Sequence, residues 1–321
     1  PVARRAEPGA TQAVTAPPPA PTDAAHTPAA DLTLDADGRV IARRCADGSE
    51  QRLRWDAAHR LRAVERAGGE TITFDYDALG RRIRKTCGER TTSWIWDGDL
   101  PLHEEVSVAG EVISRRTWLF DHDSFAPIAA LIDGRFFEIR CDQIGAPRIA
   151  LDEAGRAVWR ATSAPASVDH RGVGEPGVEL PFGLPGHYLD PETGLIYSRH
   201  RYVDPSTARF LSPDPSGLAG GLDPHAYVDD PATMIDPLGL RGQPVNPETL
   251  PGVPADPISP LGQATQGPIP PAAAIGPAPG APTELRAPRP ALDRLLDPLR
   301  RGAERLQRRI IKASLEASRC T

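Results

Sequence analysis

The sequence predicts a mainly β protein built from antiparallel β-hairpins, and two observations support this prediction. A short pattern of an aromatic residue or Leu, then Asp, two variable residues, a turn residue and Arg recurs as LDADGR, WDAAHR and YDALGR. Its aspartates, Asp35, Asp56 and Asp77, are each 21 residues apart, a period in the range of repeat architectures. Apolar and polar residues also alternate before the third copy, which is typical of a half-buried strand.

The third copy shows how each unit forms a hairpin. In TITFDYDALGRRIRKT, residues 71–86, Ile72, Phe74 and Tyr76 alternate with polar residues and predict a strand. Asp77 can then accept hydrogen bonds from the amides of its own turn, and Gly80 can adopt a positive φ. Weaker copies follow as WDGD and LDEAGR. Since no single hairpin is stable alone, we expect the units to stack and bury one continuous face.

The residues before the first repeat have a different composition. Residues 1–30 are rich in Ala, Pro and Thr and show no period. Such a segment buries too little surface to offset the entropy of ordering, so we expect a disordered arm. The opening PVARRAEPGA contains no apolar core of a signal peptide, and the start without Met indicates a fragment or a processed product.

Composition argues against several classes of function. The net charge of −6 argues against nucleic acid as the main partner. The longest apolar run, FAPIAALI, is far too short for a membrane helix. No motif of a metal site, a phosphate-binding loop or a serine nucleophile is present, so we expect no metal and no cofactor. The four cysteines are far apart and predict reduced thiols: Cys45, Cys87, Cys141 and Cys320.

A duplicated motif supplies the candidate chemistry. The pattern Asp-Pro-x-Gly-Leu occurs at 214–218 and again at 236–240. Each copy predicts a turn, because Pro fixes φ at the second position, Asp accepts amide hydrogens and Gly closes the turn. The turn residues are Pro215, Gly217, Pro237 and Gly239. One copy alone would be explained by structure.

Two aspartates held close together have a further property. Like charges within a few ångströms cannot both ionise easily, so the pKa of one carboxyl rises and that of the other falls. One member of such a pair can activate water while the other protonates a leaving amide. Asp214 and Asp236, the leading acids of the two motifs, are therefore candidates for peptide hydrolysis.

These segments resemble a known family. YDALGR with its spacing resembles the YD, or Rhs, repeat, and IGAPRIALDEAGRAVWRA at 144–161 is similar to a segment of the Rhs-associated core. The block from GHYLDPETGLIYSRHRYVDP to DPLGL, residues 186–240, resembles the C-terminal block of that core almost position by position. The resemblance covers about 34–240. One departure is that Arg140 and Cys141 stand where the family often has a His before LGTPR.

The resemblance implies a β-rich shell that encloses a C-terminal toxic polypeptide and cuts it free. Rhs effectors of type VI secretion, contact-dependent toxins and the C component of Tc toxins are built in this way. The spacing DPxG-x18-DPxG matches the self-cleavage motif, which assigns Asp214 and Asp236 to aspartyl-protease-like catalysis and places the cut between Leu240 and Arg241. An arginine contributes in some relatives, and Arg201 stands at the matching place, with Arg209 as the local rival.

The sequence changes character after Leu240. Residues 241–290 hold 14 Pro and 6 Gly and predict a linker. Residues 291–321 predict a basic amphipathic helix with Asp297 as N-cap and Ala303 on its apolar stripe, at the position of the toxin in the family. This segment is too short for a nuclease or deaminase core. It would dock on the acidic inner wall of the shell or be a remnant of a lost toxin, and contact with an anionic membrane is the weaker alternative.

The predicted organisation is therefore an arm at 1–30, repeat hairpins at 31–165, the Rhs-associated core at 166–240, a linker at 241–290 and a C-terminal helix at 291–321. The resemblance implies a bacterial protein, secreted or displayed through a specialised secretion system. Its expected partners are its own C-terminal tail, an immunity protein, a secretion-system spike or further shell repeats. Two alternatives remain: a non-catalytic YD-repeat surface protein that binds carbohydrate or a neighbouring cell, and an inactive orphan core.

Overall fold

The computed structural model describes residues 32–45, 47–122, 124–245, 298 and 300–312. The predicted arm at 1–30 lies outside the described residues, as do 246–290 of the predicted linker and both ends of the predicted C-terminal helix, including Asp297. Within the described ranges the chain is mainly antiparallel β-sheet with one helix at 300–312, α1. The predicted fold class is confirmed.

The first 14 strands form one sheet in which every strand pairs with the next one along the chain. The strands are β1 (Leu32–Leu34), β2 (Val40–Arg44), β3 (Glu50–Trp55), β4 (Leu61–Arg66), β5 (Thr71–Tyr76), β6 (Arg82–Cys87), β7 (Arg90–Asp97), β8 (Leu100–Val108), β9 (Glu111–Phe120), β10 (Pro127–Ile132), β11 (Arg135–Cys141), β12 (Pro147–Leu151), β13 (Ala157–Ala161) and β14 (Gly172–Gly174). This order is the stack of hairpins that the repeats predict.

Two smaller sheets follow. The second sheet has four strands in sequence order: β15 (His187–Asp190), β16 (Leu195–Ser198), β17 (Arg201–Asp204) and β18 (Arg209–Phe210). A 3₁₀ turn at Gly217–Ala219 precedes the third sheet, which pairs β19 (Met234–Ile235) with β20 (Gln243–Pro244). The predicted cleavage point therefore lies between two paired strands.

The repeated aspartates close the turns of the hairpins. Asp77 Oδ1 accepts the backbone N–H groups of Leu79 and Arg81, and Asp77 Oδ2 accepts Arg81 Nε at 2.7 Å. Gly80 has a φ of 74°. Arg81 Nη1 also donates to Gly98 O in the following repeat at 3.0 Å. The Asp and Arg of the motif thus form the turn together, and the Arg joins neighbouring hairpins.

The aromatic residue before the repeat aspartate in the second and third copies bridges strands in the other direction. Tyr76 OH donates to Leu61 O at 2.7 Å, and Trp55 Nε1 donates to Val40 O at 2.8 Å. The Tyr76 hydroxyl also lies 3.1 Å from the Tyr202 hydroxyl of the second sheet. Because the polar ends of these rings are paired, the rings can lie in the interface between the first and second sheets.

The main core lies between the first and second sheets. Leu61, Phe74 and Trp118 of the first sheet pack in one cluster with Leu195 and Tyr202 of the second. Apolar burial supplies the driving force for this packing.

Arg82 is the largest polar side chain in this core and is 1% exposed. Its guanidinium donates two hydrogen bonds to Asp190 of the second sheet and lies 4.4 Å from the centre of the Tyr197 ring. Lys85 Nζ reaches the same carboxylate at 3.0 Å. A second bridge joins Arg43 to Asp204 at 2.8 Å. These contacts hold β15, which ends with Asp190, and β17, which begins with Arg201, against the first sheet.

Helix α1 packs on the other face of the first sheet. Ala303 is buried against Ala129, Leu131 and Phe136, whereas Ala130 points into the core between the first and second sheets. Arg300 forms an ion pair with Glu153 at 2.9 Å. The apolar stripe predicted for this segment therefore contacts the sheet through Ala303, while Arg305, Arg308 and Arg309 are exposed.

Candidate active site

Arg201 is positioned by a tight hairpin between β16 and β17. Ser198 pairs with Arg201, which leaves Arg199 and His200 as the turn. Arg199 has a φ of 43°, unusual for a residue with a side chain, and its guanidinium donates to the carbonyl oxygens of Gly80 and Leu79 in the first sheet. The turn is anchored at the YD repeat, and Arg201 is 2% exposed.

Both Asp-Pro-x-Gly segments form turns. The N–H of Gly217 donates to Asp214 O at 3.0 Å, and the N–H of Gly239 donates to Asp236 O at 3.3 Å. A Cβ on Gly239 would lie 2.7 Å from Ser198 O, so the second turn packs directly on the hairpin that carries Arg201. The two motifs are thereby brought to one place.

The guanidinium of Arg201 joins the two acids. Its Nη2 lies 2.6 Å from Asp214 Oδ2 and 3.4 Å from Asp236 Oδ2. Both carboxylate side chains are 4% exposed. Its Nε donates to Gly239 O at 2.6 Å and its Nη1 donates to Pro224 O at 3.0 Å. Arg201 therefore fixes both acids and the backbone immediately before the predicted cleavage point.

The predicted scissile peptide lies against the second acid. Asp236 Oδ1 accepts the backbone N–H of Leu240 at 2.9 Å and that of Arg241 at 3.2 Å. On the other side of the peptide, Ser216 Oγ lies 3.2 Å from Leu240 O. The sequence-predicted residues Asp214, Asp236, Arg201, Leu240 and Arg241 all meet here.

The surroundings of Asp236 raise the pKa of its carboxyl group. Burial raises the pKa of this carboxyl above its usual value, and the Asp214 charge adds to the rise, while hydrogen bonds from Leu240 and Arg241 and the charge of Arg201 oppose it. Burial also lowers the pKa of Arg201, against the attraction of both carboxylates. Asp214 has the shorter contact with Arg201. The two carboxyl groups thus differ in environment, as a proton donor and a base require.

The sequence prediction missed two residues of the site, Ser216 and Gly220. Ser216 occupies the variable position of the first motif, and its hydroxyl lies 2.5 Å from Asp214 Oδ1. A Cβ on Gly220 would overlap Asp214 Oδ2 and lie 2.7 Å from Leu240 O. Only a residue without a side chain fits there. The glycines of GLAGGL, which follows Ser216, indicate that another group can approach the backbone closely. The sequence did not indicate that this group is Asp214 or Leu240.

The rival candidate Arg209 and the acid Asp230, which lies between the two motifs, have structural contacts of their own. Nη2 of Arg209, the rival of Arg201, donates to both carboxylate oxygens of Asp223 at the surface, at 2.9 and 2.8 Å. Asp230 accepts the N–H of Ala232 and the hydroxyl of Thr233 in its own turn. Among the residues with described positions, no group of three or more His, Cys, Asp or Glu is arranged to hold a metal ion. In those same ranges no helix is long and apolar enough to span a bilayer.

Comparison with known proteins places the chain in a family. The model of the teneurin YD-shell family matches residues 29–225, more than half of the chain. The chain is 30% identical over 217 residues to the probable deoxyribonuclease RhsB of Dickeya dadantii, covering 65% of this chain and 15% of that protein. It is 31% identical over 252 residues to the toxin protein Tse5 of Pseudomonas aeruginosa, covering 64% and 18%.

A solved structure shares the fold. The Photorhabdus luminescens Tc holotoxin pore with a mutation in TccC3 matches with a TM-score of 0.54 and 20% identity, over 66% of this chain and 11% of that chain. The chain thus spans less than a fifth of the length of these relatives. With the hairpin repeats and the family match, the chain belongs to the YD-shell family of Rhs/YD-repeat proteins.

Proposed function

We propose that this chain is the C-terminal part of an Rhs-family toxin and that it cuts its own Leu240–Arg241 peptide bond. The observation that carries the proposal is the hydrogen bond from the N–H of Arg241 to Asp236 Oδ1, in a carboxyl pair joined by Arg201. A buried acid thereby touches the nitrogen that must be protonated before it can leave. Turn formation alone does not require this contact.

The proposed reaction is hydrolysis by a water molecule. Asp214 accepts one proton from water as the water oxygen forms a bond to the Leu240 carbonyl carbon. Asp236 enters the reaction protonated and gives its proton to the Arg241 nitrogen as the carbon–nitrogen bond breaks. The products are a carboxyl group at Leu240 and an amine at Arg241. One proton has moved onto Asp214 and one has left Asp236, so the pair exchanges its protonation states.

The backbone on both sides of the bond is held in place. Gly239 O is fixed by Arg201 Nε, and the third residue after the bond, Gln243, pairs with Ile235 across β19 and β20. Positioning of this kind supplies much of the rate of an intramolecular reaction. Arg201 fixes the geometry of both acids, because its Nη2 contacts Asp214 Oδ2 and Asp236 Oδ2.

The part of the chain after the bond is proposed to stay attached after cleavage. Strand β20 remains paired with β19, and α1 remains docked through Ala303 and the Arg300–Glu153 ion pair. The chain's own tail is thus its first partner. An immunity protein, a secretion-system spike, and further repeats that pair with the first strand, β1, are further proposed partners. We propose that the whole protein is bacterial and leaves the cell through a specialised system such as type VI secretion.

The test is the integrity of the folded chain and of isosteric variants. The chain is kept unfolded in denaturant from synthesis onward, diluted into buffer and followed by intact mass. Wild type should split, whereas Asp214→Asn and Asp236→Asn should stay whole. Asp230→Asn is the matched control, because Asp230 also begins an Asp-Pro turn but lies at the surface. A folded wild-type chain that stays whole would support a non-catalytic surface protein or an orphan core instead.

A further inference from the structure

Ser216 lies between the first acid and the scissile carbonyl group. Its backbone N–H donates to Asp214 Oδ1 at 2.7 Å, and its hydroxyl lies 2.5 Å from the same oxygen. The hydroxyl oxygen is also 3.2 Å from Leu240 O. Ser216 Oγ has one proton and therefore donates to one of these two acceptors at a time.

The guanidinium of Arg201 is directed elsewhere. Its contacts go to Gly239 O, Pro224 O and the two carboxylates. The amide N–H groups of Leu240 and Arg241 are directed at Asp236. Ser216 Oγ lies 3.2 Å from the Leu240 oxygen, on which negative charge develops when water attacks the carbonyl carbon.

Resting on the proposed function, we infer that Ser216 is a further catalytic residue, whose hydroxyl keeps its proton and switches its hydrogen bond from Asp214 Oδ1 to the Leu240 oxygen during cleavage. In the uncut chain the ionised Asp214 is the stronger acceptor and holds the hydroxyl. As Asp214 takes a proton from water it becomes neutral, while the carbonyl oxygen becomes an oxyanion. The preference of the hydroxyl then reverses, so its bond to Leu240 O is strongest in the transition state.

The change of acceptor by the Ser216 hydroxyl, from Asp214 to Leu240 O, is what accelerates cleavage. A donor that binds the substrate and the transition state equally would leave the rate of the chemical step unchanged. A donor that strengthens its bond only as charge develops lowers the barrier. The hydroxyl rotates about one bond and no backbone movement is needed, because both acceptors already lie within 3.2 Å of Oγ.

The chain contains a matched control. Ser206 follows Asp204 and Pro205 as Ser216 follows Asp214 and Pro215. Its N–H and its hydroxyl donate to Asp204 Oδ1 at 2.9 and 2.7 Å. The two serines share one type of turn, but Ser206 lies in the turn after β17, where Asp204 is paired with Arg43.

The experiment compares cleavage rates after dilution from denaturant for wild type, Ser216→Ala, Ser216→Thr and Ser206→Ala. We expect Ser216→Ala to slow cleavage roughly 10- to 100-fold, at or below the lower end of the range for an oxyanion donor, because Ser216 is exposed to solvent. Ser216→Thr keeps the hydroxyl and should lie within a few-fold of wild type. Ser206→Ala should cleave at the wild-type rate. Thermal unfolding of each variant in an Asp236→Asn background checks that the fold is intact.

Several outcomes would overturn the inference. They are a Ser216→Ala chain that cuts at the wild-type rate, and a Ser216→Thr chain that is as slow as Ser216→Ala. A wild-type chain that yields a hydroxamate at Leu240 in hydroxylamine would also do so, because it would make Ser216 a nucleophile. If wild type itself stays whole, the proposed function fails first. If wild type is cut while Asp214→Asn and Asp236→Asn stay whole, the proposed function stands. The Ser216 variants then test the role of Ser216 separately.

Discussion

Asp236 Oδ1 lies 3.2 Å from the backbone nitrogen of Arg241 and accepts its hydrogen. A carboxyl group that is 4% exposed therefore touches the residue after the second Asp-Pro-x-Gly-Leu motif. In an ordinary turn, this contact would only provide the Arg241 N–H with a hydrogen-bond acceptor. Together with Asp214 and Arg201 it places a proton source beside a potential leaving group.

The pH dependence of cleavage should follow Asp236. Burial raises the pKa of this carboxyl, and the proposed acid acts only when protonated. Above that raised pKa the protonated fraction falls about tenfold per pH unit, so the cleavage rate should fall with rising pH. The measurement is the rate after dilution into buffers between about pH 5 and 8, with Trp fluorescence as the check on folding. A rate that rises across this range would argue against Asp236 as the acid.

Substitution of Gly220 should block the site without loss of the fold. The Cβ of Gly220→Ala would overlap Asp214 Oδ2 and crowd Leu240 O, so the acid and the carbonyl group must move apart. A displacement of about 1 Å costs roughly 10²-fold in rate. Leu218→Ala is the control, because Leu218 lies in the same loop and is 83% exposed. Equal cleavage rates for the two variants would contradict this geometry.

The buried ion pair of Arg82 should dominate the stability of the contact between the two sheets. Arg82→Met leaves Asp190 buried with Lys85 as its remaining cation, and we expect a loss of about 3–5 kcal/mol in the free energy of unfolding. Arg84→Met, at an exposed position 3.9 Å from Asp75, should cost under about 0.5 kcal/mol. Urea unfolding in the uncut Asp236→Asn background measures both. Similar losses for the two variants would show that Arg82 acts only as a packed side chain.

Cleavage should not release the tail at once. Ala303 is buried on the first sheet, so Ala303→Glu would place a charge against Ala129 and Leu131. We expect the wild-type tail to co-elute with the shell in size-exclusion chromatography after the cut and the Ala303→Glu tail to elute separately. Arg305→Glu introduces the same residue at an exposed position of α1 and should behave as wild type. Separation of the wild-type tail immediately on cleavage would exclude docking by α1.

Sequence alone predicted the hairpin repeats and the residues of the acid pair, because both depend on short local motifs. The turn of Asp77 and Gly80 forms from contacts within five residues. Ser216 and Gly220 were not predicted as site residues, because their roles depend on contacts with Leu240, more than 15 residues away. For the same reason the sequence predicted the apolar stripe of α1 but not the surface that the stripe contacts. Residues of β9, β10 and β11, far from Ala303 in sequence, form that surface.

Self-cleavage between Leu240 and Arg241 is best tested by the masses of the two fragments that the folded wild-type chain yields on its own. Self-cleavage by the acid pair predicts one fragment that ends at Leu240 and one that begins with Arg241, at a rate independent of protein concentration, and neither fragment from Asp236→Asn. A cut at another bond, a rate that rises with concentration, or a cut Asp236→Asn chain would contradict the account.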